Sequence, residues 1–433
     1  GDPCLGTGVE RRLMDTTNQS GWNAEVLVVG AGAAGLWAAA RAARGGRDVL
    51  LLEKTPRTGT KVLASGGTRC NLTTTLSAAE AAKLFRSKGE RFLRPAFQNL
   101  PPQAVRERFE EWGVPTEVAP LEKIFPTSGR AKDVRDAMER EARSAGVRIE
   151  LDAAVTGLRR DGDVWSVQVE GDRVAHAPHV LLCPGGQSVP KSGTTGDGYG
   201  WLQSLDLPLI PPVPALVPLT TEASWVHALT GIAWADGELR LIDPRGKAIT
   251  RRRRPVLFTH TGLSGPAAMD LSVHVAQAPD AAWFVRLDLF PDEERDTLRD
   301  LLIELGNLPG KPYLGRLLPA AIPKRLLAAI CAQAGFDEVP RPSEIGRAAR
   351  HELVEALKGL EVPIHGTRGW DLAEVTAGGL DLRRVDPRTM RVNGIEGLQV
   401  FGELLDLDGP IGGLNFQAAF ACAELAGGFL AND

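Results

Sequence analysis

Three glycines and one acid carry the first chemistry. Gly30-Ala31-Gly32-Ala33-Ala34-Gly35 follows the apolar run AEVLVVG and opens the alanine-rich segment AAGLWAAARAARGG. Glu53 closes the next apolar run, RDVLLLEK. The order predicts a strand, a helix and a second, parallel strand. In such a unit Gly30 permits the tight turn, Gly32 lets backbone approach a pyrophosphate, and Gly35 lets helix and strand pack closely. The helix N-terminus offers free N–H groups to phosphate, and Glu53 can accept hydrogen bonds from ribose hydroxyls. A dinucleotide is therefore expected rather than a bare glycine-rich turn.

That fingerprint serves FAD and NAD alike, and the C-terminal text points to the flavin. LQVFGELLDLDGP sets Gly402-Glu403 after a strand-like run, with Asp406 and Asp408 close behind. Gly412-Gly413-Leu414-Asn415 then opens a last helix, with Phe416 in its first turn. An acid there suits the ribityl chain or the pyrophosphate side of a flavin. A helix N-terminus aimed at the N1–C2=O edge would stabilise the anion formed on reduction. The alternative is an Asp- and Gly-rich surface loop before an ordinary helix.

Other segments could complete such a site. Lys61-Val62-Leu63-Ala64-Ser65-Gly66-Gly67-Thr68-Arg69-Cys70-Asn71 combines small residues, which could lie against a flat ring, with Arg69 and Asn71, which could meet its carbonyls or a substrate carboxylate. It could equally be a surface loop. Pro184-Gly185-Gly186 ends a strand and leads into a polar run that either crosses near the flavin or joins two domains. His260, in FTHTGLSGP, is read either as a catalytic residue facing the flavin or as a strand-end histidine with a satisfied bond. The run 251–254, all arginine, follows a DPRG turn without interleaved aromatics, so a solvated hairpin is preferred over nucleic-acid binding.

Composition narrows the class. With 433 residues the chain can hold two or three domains. Its net charge of −4 gives no overall basic field for nucleic acid or an anionic membrane. Five scattered cysteines lack any CxxC pair, which argues for a reducing, cytoplasmic compartment and against disulfides, a dithiol relay or a metal site. The apolar stretch 26–40 stops short of a membrane span, and residues 1–23 read as a disordered leader. Composition shifts at Leu207, where PLIPPVPALVPL reads as a linker into a β-rich module over residues 207–318. The period turns helical over 319–365 before strand-like text returns at AEVTAGGLDL. No second GxGxxG occurs in this insert.

Together GAGAAG, KVLASGGTRCN, GGQSVPKSGTTGDGY, FTHTGLSGP, AEVTAGGLDL and GELLDLDGPIGGLNFQAAF resemble the BaiN-like bacterial flavoproteins, also described as the aminoacetone-oxidase family. The resemblance runs from about residue 24 to the C-terminus. It implies an α/β, Rossmann-like FAD domain built from both chain ends (24–206 and 366–433), with an inserted β-barrel and helical domain. It places FAD contacts on Gly30, Gly32, Gly35, Glu53, Lys54, Gly66, Gly67, Val155, Gly402, Glu403 and Asn415. Ala33, Ala34, Lys61, Ser65, Arg69, Asn71, Pro184, Gly185, Gly186, Asp408, Gly413 and Phe416 complete the expected flavin site. Two departures show: Thr68 stands where a third glycine is usual, and SVPKSG replaces SYPxTG.

The resemblance implies two-electron chemistry on a small molecule, either oxidation of a small amine or reduction of a conjugated enone. With no second nucleotide motif, an oxidase or transient docking of NAD(P)H at the flavin face is expected. The competing class is a flavoprotein without turnover, whose insert binds a partner or RNA.

Overall fold

The chain is described by a computed structural model over residues 22–85, 87–310 and 312–432. Five strands, β1 (Val26–Val29), β2 (Val49–Leu52), β3 (Arg148–Glu150), β4 (His179–Leu182) and β5 (Leu398–Val400), form one parallel sheet in the order β5-β4-β1-β2-β3. Every residue of β1 and β2 is buried, which is why both read as unbroken apolar runs rather than alternations. β5 lies more than 200 residues from β4 in sequence yet pairs with it directly. Both ends of the chain thus build the nucleotide-type sheet.

Two helices cover it. α1 (Ala33–Arg44) joins β1 to β2, and α2 (Leu414–Asn432) packs on α1. The contact is close because small residues face it: a Cβ on Gly427 would stand 2.6 Å from the Ala38 carbonyl oxygen. Glu424 of α2 accepts hydrogen bonds from the Trp37 indole (2.7 Å) and the Arg41 guanidinium (2.9 Å) of α1. α2 is long and apolar enough to cross a bilayer by length and composition, and just over half of that stretch is buried inside the fold.

The expected leader reaches Asn23, but Trp22–Asn23 forms a short strand, pairing in parallel with Arg173–Ala177 of a side meander. The Arg173 guanidinium lies 4.6 Å above the Trp22 ring and fastens that edge. The rest of the leader lies outside the described residues.

The proline-dense text after Leu207 is not a free linker. Leu209–Ala215 is a strand paired antiparallel with Val375–Leu380, interrupted between Ile210 and Val213. Among the described residues its other edge is unpaired, so three prolines cost the ladder little. These two strands carry the chain into and out of the inserted module. There, seven antiparallel strands follow one another from Leu360–Ile364 to Gly366–Thr367, so the two edge strands are consecutive pieces of one chain run. The helices Gly265–Gln277 and Arg295–Gly306 lie within 207–318, which sequence patterning marked only as β-rich. The insert has its own hydrophobic core, separate from that of the parallel sheet.

Candidate functional site

A cleft of about 600 Å³ opens at the carboxyl ends of β1, β2 and β4, where Val29, Leu52 and Cys183 reach its wall. This is where open α/β sheets bind ligands, and the volume suits a cofactor site. Its far wall comes from the insert: Leu257, Ser264, Gly265, Pro266 and Met269.

The fingerprint glycines divide as expected. Gly30 turns with φ +102°, and a Cβ there would meet the Cys183 carbonyl oxygen at 2.6 Å. A Cβ on Gly35 would stand 1.8 Å from the Gly30 oxygen, so Gly35 lies beneath the turn and does not line the cleft. A Cβ on Gly32 would meet nothing within 4 Å and would project from the turn at the head of α1. Gly32 caps α1 with no side-chain hydrogen bond, leaving the first-turn N–H groups for a ligand. A helix N-terminus free of capping side chains beside a Cβ-free cradle fits a dinucleotide pyrophosphate.

Glu53 stands beside this turn. Its Oε2 accepts from the Ala31 N–H (2.8 Å) and its Oε1 from the Thr55 N–H and hydroxyl (2.9 and 2.8 Å). The carboxylate therefore braces the glycine turn as well as facing the cleft. Lys54 reaches across to Asp197 (2.5 Å) and Thr195 (2.7 Å), tying β2 to the loop after Gly185. Ala33, Ala34, Val155, Pro184 and Gly185 also line the cleft.

Deeper in, one polar network joins four distant segments. The Lys61 ammonium donates to Glu403 (2.5 Å) and Ser188 (2.6 Å), while Glu403 accepts from the Ser188 hydroxyl (2.7 Å) and the Thr376 N–H (2.6 Å). Ser188 and Thr376 are fully buried. Gly186 lies behind this network rather than on the cleft wall, since a Cβ there would press on Thr376 and Glu403. Gly402, Gly413 and Phe416 line the cleft with Asn415, whose amide is committed to both backbone groups of Gly409 at 2.9 Å.

Within the 61–71 loop, Lys61, Ser65, Gly66, Gly67 and Asn71 face the cleft. Thr68 takes φ +70°, the left-handed region that a glycine would favour, and its carbonyl is held by the Ala131 N–H at 2.8 Å. Cys70 is buried, and burial pushes its thiol up to about 12. Burial also raises Cys183 and Cys422, whose residues meet the cleft wall. These thiols are held protonated, the opposite of an activated nucleophile.

Besides Gly35 and Gly186, three further expected residues stand off the cleft wall. Arg69 is not on the cleft wall; its guanidinium lies 4.3 Å over Phe125 and 3.6 Å from Glu117 on the outer side. Asp408 is likewise off the wall and has a partner of its own. His260 is exposed in the turn after Ala248–Thr259 and does not reach the cleft, so the structure does not bring it to face a flavin. The distinctive patch around it contributes through Ser264, Gly265 and Pro266 instead, because the chain folds back at Gly262 before reaching the wall. The arginine run is neutralised: Arg252 pairs with Asp270 (2.6 Å), Arg253 with Asp236 and Asp292, and Arg254 with Glu122 (3.0 Å).

Sequence reasoning missed Lys123 and Glu374, both on the cleft wall. Burial raises the Glu374 carboxyl above its ordinary range, with Lys123 and Lys61 pulling it back. Glu374 lies within AEVTAGGLDL, which reads from sequence only as a strand-like run, and Lys123 lies in a segment with no motif; neither shows a spacing that announces chemistry.

The sequence matches the HI0933-like protein Rossmann domain over residues 24–429. A Clostridium scindens protein named 3-dehydro-bile acid delta(4,6)-reductase is 30% identical over 406 residues, covering 92% of this chain and 97% of that protein. An Escherichia coli protein named ribosomal RNA dihydrouridine synthase is 29% identical over 406 residues, with the same coverage. Among solved structures, the 3-ketosteroid-delta4-(5alpha)-dehydrogenase of Rhodococcus jostii RHA1 shares the fold at 16% identity, with a TM-score of 0.54 over 97% of this chain and 99% of that one. With the family matched over nearly the whole chain, the protein belongs to the HI0933-like Rossmann family of flavin-dependent oxidoreductases.

Proposed function

We propose that this chain is an FAD-dependent reductase of a carbon–carbon double bond conjugated to a carbonyl group. The observation that carries the reading is the shared cleft, with a dinucleotide cradle on one wall and an apolar wall from the insert opposite. Leu257, Met269 and Leu216 of the insert make that wall, with Ile411 of the C-terminal segment beside them, and it suits a carbon skeleton better than a charged amine. The names of two relatives agree on the bond type: dihydrouridine and a reduced bile acid each arise by saturating a C=C conjugated to a carbonyl. Neutralisation of the arginine run favours a small conjugated ketone over RNA as the substrate.

FAD, when bound, supplies two-electron hydride chemistry. Gly30, Gly32 and the head of α1 would hold its pyrophosphate, and Glu53 its adenosine ribose. Lys61 and Glu403 would hold the ribityl side, and the Gly412–Gly413 turn would face the ring edge. The insert, read as a barrel-like sheet with a helical part, closes the substrate side. NAD(P)H acts as a transient donor, and the buried free thiols suit a reducing, cytoplasmic setting.

The test begins by denaturing the purified protein and identifying the released chromophore. Anaerobic holoenzyme is then offered NADH, NADPH and a panel of small amines, and the reduced form is offered 4-androstene-3,17-dione, 2-cyclohexen-1-one and a uridine-containing RNA. Reduction by NAD(P)H and reoxidation by an enone are expected. Release of FMN, or reduction by amines with reoxidation only by oxygen, would overturn the reading.

A further inference from the structure

Among the described residues four carboxylates line the cleft: Glu53, Asp197, Glu374 and Glu403. Three are engaged. Glu53 holds Ala31 and Thr55, Asp197 holds Lys54 and Thr195, and Glu403 holds Lys61, Ser188 and Thr376. Among the described residues the Glu374 carboxylate makes no hydrogen bond or ion pair, and the residue is exposed toward the cleft. No histidine or tyrosine lines this cleft among the described residues, and its two thiols are buried and held protonated. A proton donor must therefore come from a short list.

The backbone at Glu374 is rigidly placed. Its N–H donates to the Leu216 carbonyl (3.1 Å), and its carbonyl accepts from the Ser188 hydroxyl (3.4 Å). The next residue, Val375, starts the fully buried strand Val375–Leu380 and packs with Leu216 and Met269 in a small core at the seam between the two larger ones. Glu374 thus projects from the seam where insert and sheet meet, beside the apolar wall that would seat a substrate.

We propose that Glu374 is a catalytic acid of this cleft, delivering the proton that accompanies hydride transfer to the substrate, with Lys123 as its neighbouring cation. The proposal rests on the conjugated C=C reading above. As the β carbon of the substrate takes a hydride from the reduced flavin, the π pair moves to the α carbon. That carbon takes the Glu374 carboxyl proton, so one O–H bond breaks and one C–H bond forms. The substrate gains two electrons and two protons' worth of hydrogen, the flavin is oxidised, and Glu374 is left as a carboxylate for solvent to reprotonate. The Glu374 carboxyl has open surface inside the cleft, yet the surrounding walls desolvate it and so favour the acid form needed for this step. The charged groups acting on Glu374 are Lys123 from the strand Lys123–Pro126, Lys61 from the helix Thr60–Ala64, and Asp270 from the helix Gly265–Gln277; the first two lower its titration and Asp270 raises it.

The test uses FAD-loaded wild type, Glu374→Gln, Glu374→Asp and Lys123→Met, each reduced anaerobically and mixed with 2-cyclohexen-1-one or 4-androstene-3,17-dione. Glu374→Gln should bind FAD and become reduced normally, yet be reoxidised about 100-fold more slowly. In D2O its product should lose facial selectivity at the α carbon, and Glu374→Asp should restore part of both. The wild-type rate should fall as pH rises through the Glu374 titration, and Lys123→Met should move that limb to higher pH. Without turnover, an infrared band of a protonated carboxyl should persist above the ordinary glutamate range in wild-type holoenzyme and be missing from Glu374→Gln. A Glu374→Gln enzyme with wild-type rate, pH limb, selectivity and infrared spectrum overturns the proposal alone. A wild type that neither enone reoxidises overturns the proposed reaction and the role of Glu374 together.

Discussion

Lys61 and Glu403 stand 342 positions apart in the chain and 2.5 Å apart in the fold. One lies on a short helix after β2 and the other just past β5, so their contact ties the two chain ends across the cleft floor. Both side chains are about four-fifths covered, and Glu403 has Ser188 and the Thr376 N–H as further donors.

Lys61→Met should leave Glu403 charged among neutral donors. We expect a loss of about 1–3 kcal/mol in urea-unfolding stability, characteristic of removing a charge-assisted partner. FAD retention should fall with it, measured as occupancy after dialysis. Arg299→Met, which removes an exposed pair with Asp296, should change neither quantity measurably.

Gly32→Ala and Gly35→Ala should fail in different ways. At Gly35 a Cβ would collide with the Gly30 oxygen at 1.8 Å, so the variant should be poorly folded by circular dichroism and melting. At Gly32, φ is −78° and a Cβ meets nothing within 4 Å, so the apoprotein should melt normally. That methyl would enter the space where backbone approaches pyrophosphate, and FAD affinity should drop tenfold or more, on the order of 1.4 kcal/mol.

Glu53→Ala should weaken FAD binding by about one to two orders of magnitude, from losing a charged acceptor worth about 1.5–3 kcal/mol. Because Glu53 also holds the Ala31 N–H, the substitution should loosen the glycine turn and lower apoprotein stability too. Glu53→Gln keeps one acceptor oxygen and should lose less. The flavin that stays bound should keep a near-normal spectrum if Glu53 holds the adenosine end as proposed; full occupancy of Glu53→Ala after extensive dialysis would refute the ribose role.

Thr68→Gly should stabilise the protein by up to about 1 kcal/mol, read as a higher urea midpoint. A β-branched residue at φ +70° is strained, and glycine removes that strain while adding unfolded-state entropy that offsets part of the gain.

Stability against pH should report Glu374. Its folded titration is raised above the unfolded value, so the stability it contributes is fully present below the ordinary glutamate range and lost as pH rises through the folded value. Gln stays neutral throughout. The melting temperature of Glu374→Gln relative to wild type should therefore climb from acid toward neutral pH and then level off; a difference that is flat with pH contradicts the raised titration.

Elements whose signals are local can be read from the residues alone. β1, α1 and β2 were legible because apolar runs, alanine content and glycine spacing act within a few residues of one another. The same local logic picks out Gly30, Gly32, Glu53, Lys61 and Glu403, all of which line the cleft. It misplaced His260 and Arg69, because residue type suggests chemistry but not direction. It read 209–215 as linker, because proline is a poor strand former unless one edge stays unpaired, and pairing is a property of the fold. Tertiary structure alone decided which carboxylates are engaged and which face open space. Glu403 finds Lys61 from 342 residues away, while the Glu374 side chain points into the cleft beside an insert whose packing no local pattern encodes. The physical reason is that hydrogen-bond partners and burial are set by distance in space. In a fold whose active wall is assembled from both chain ends and an insert, that distance has little relation to position along the chain.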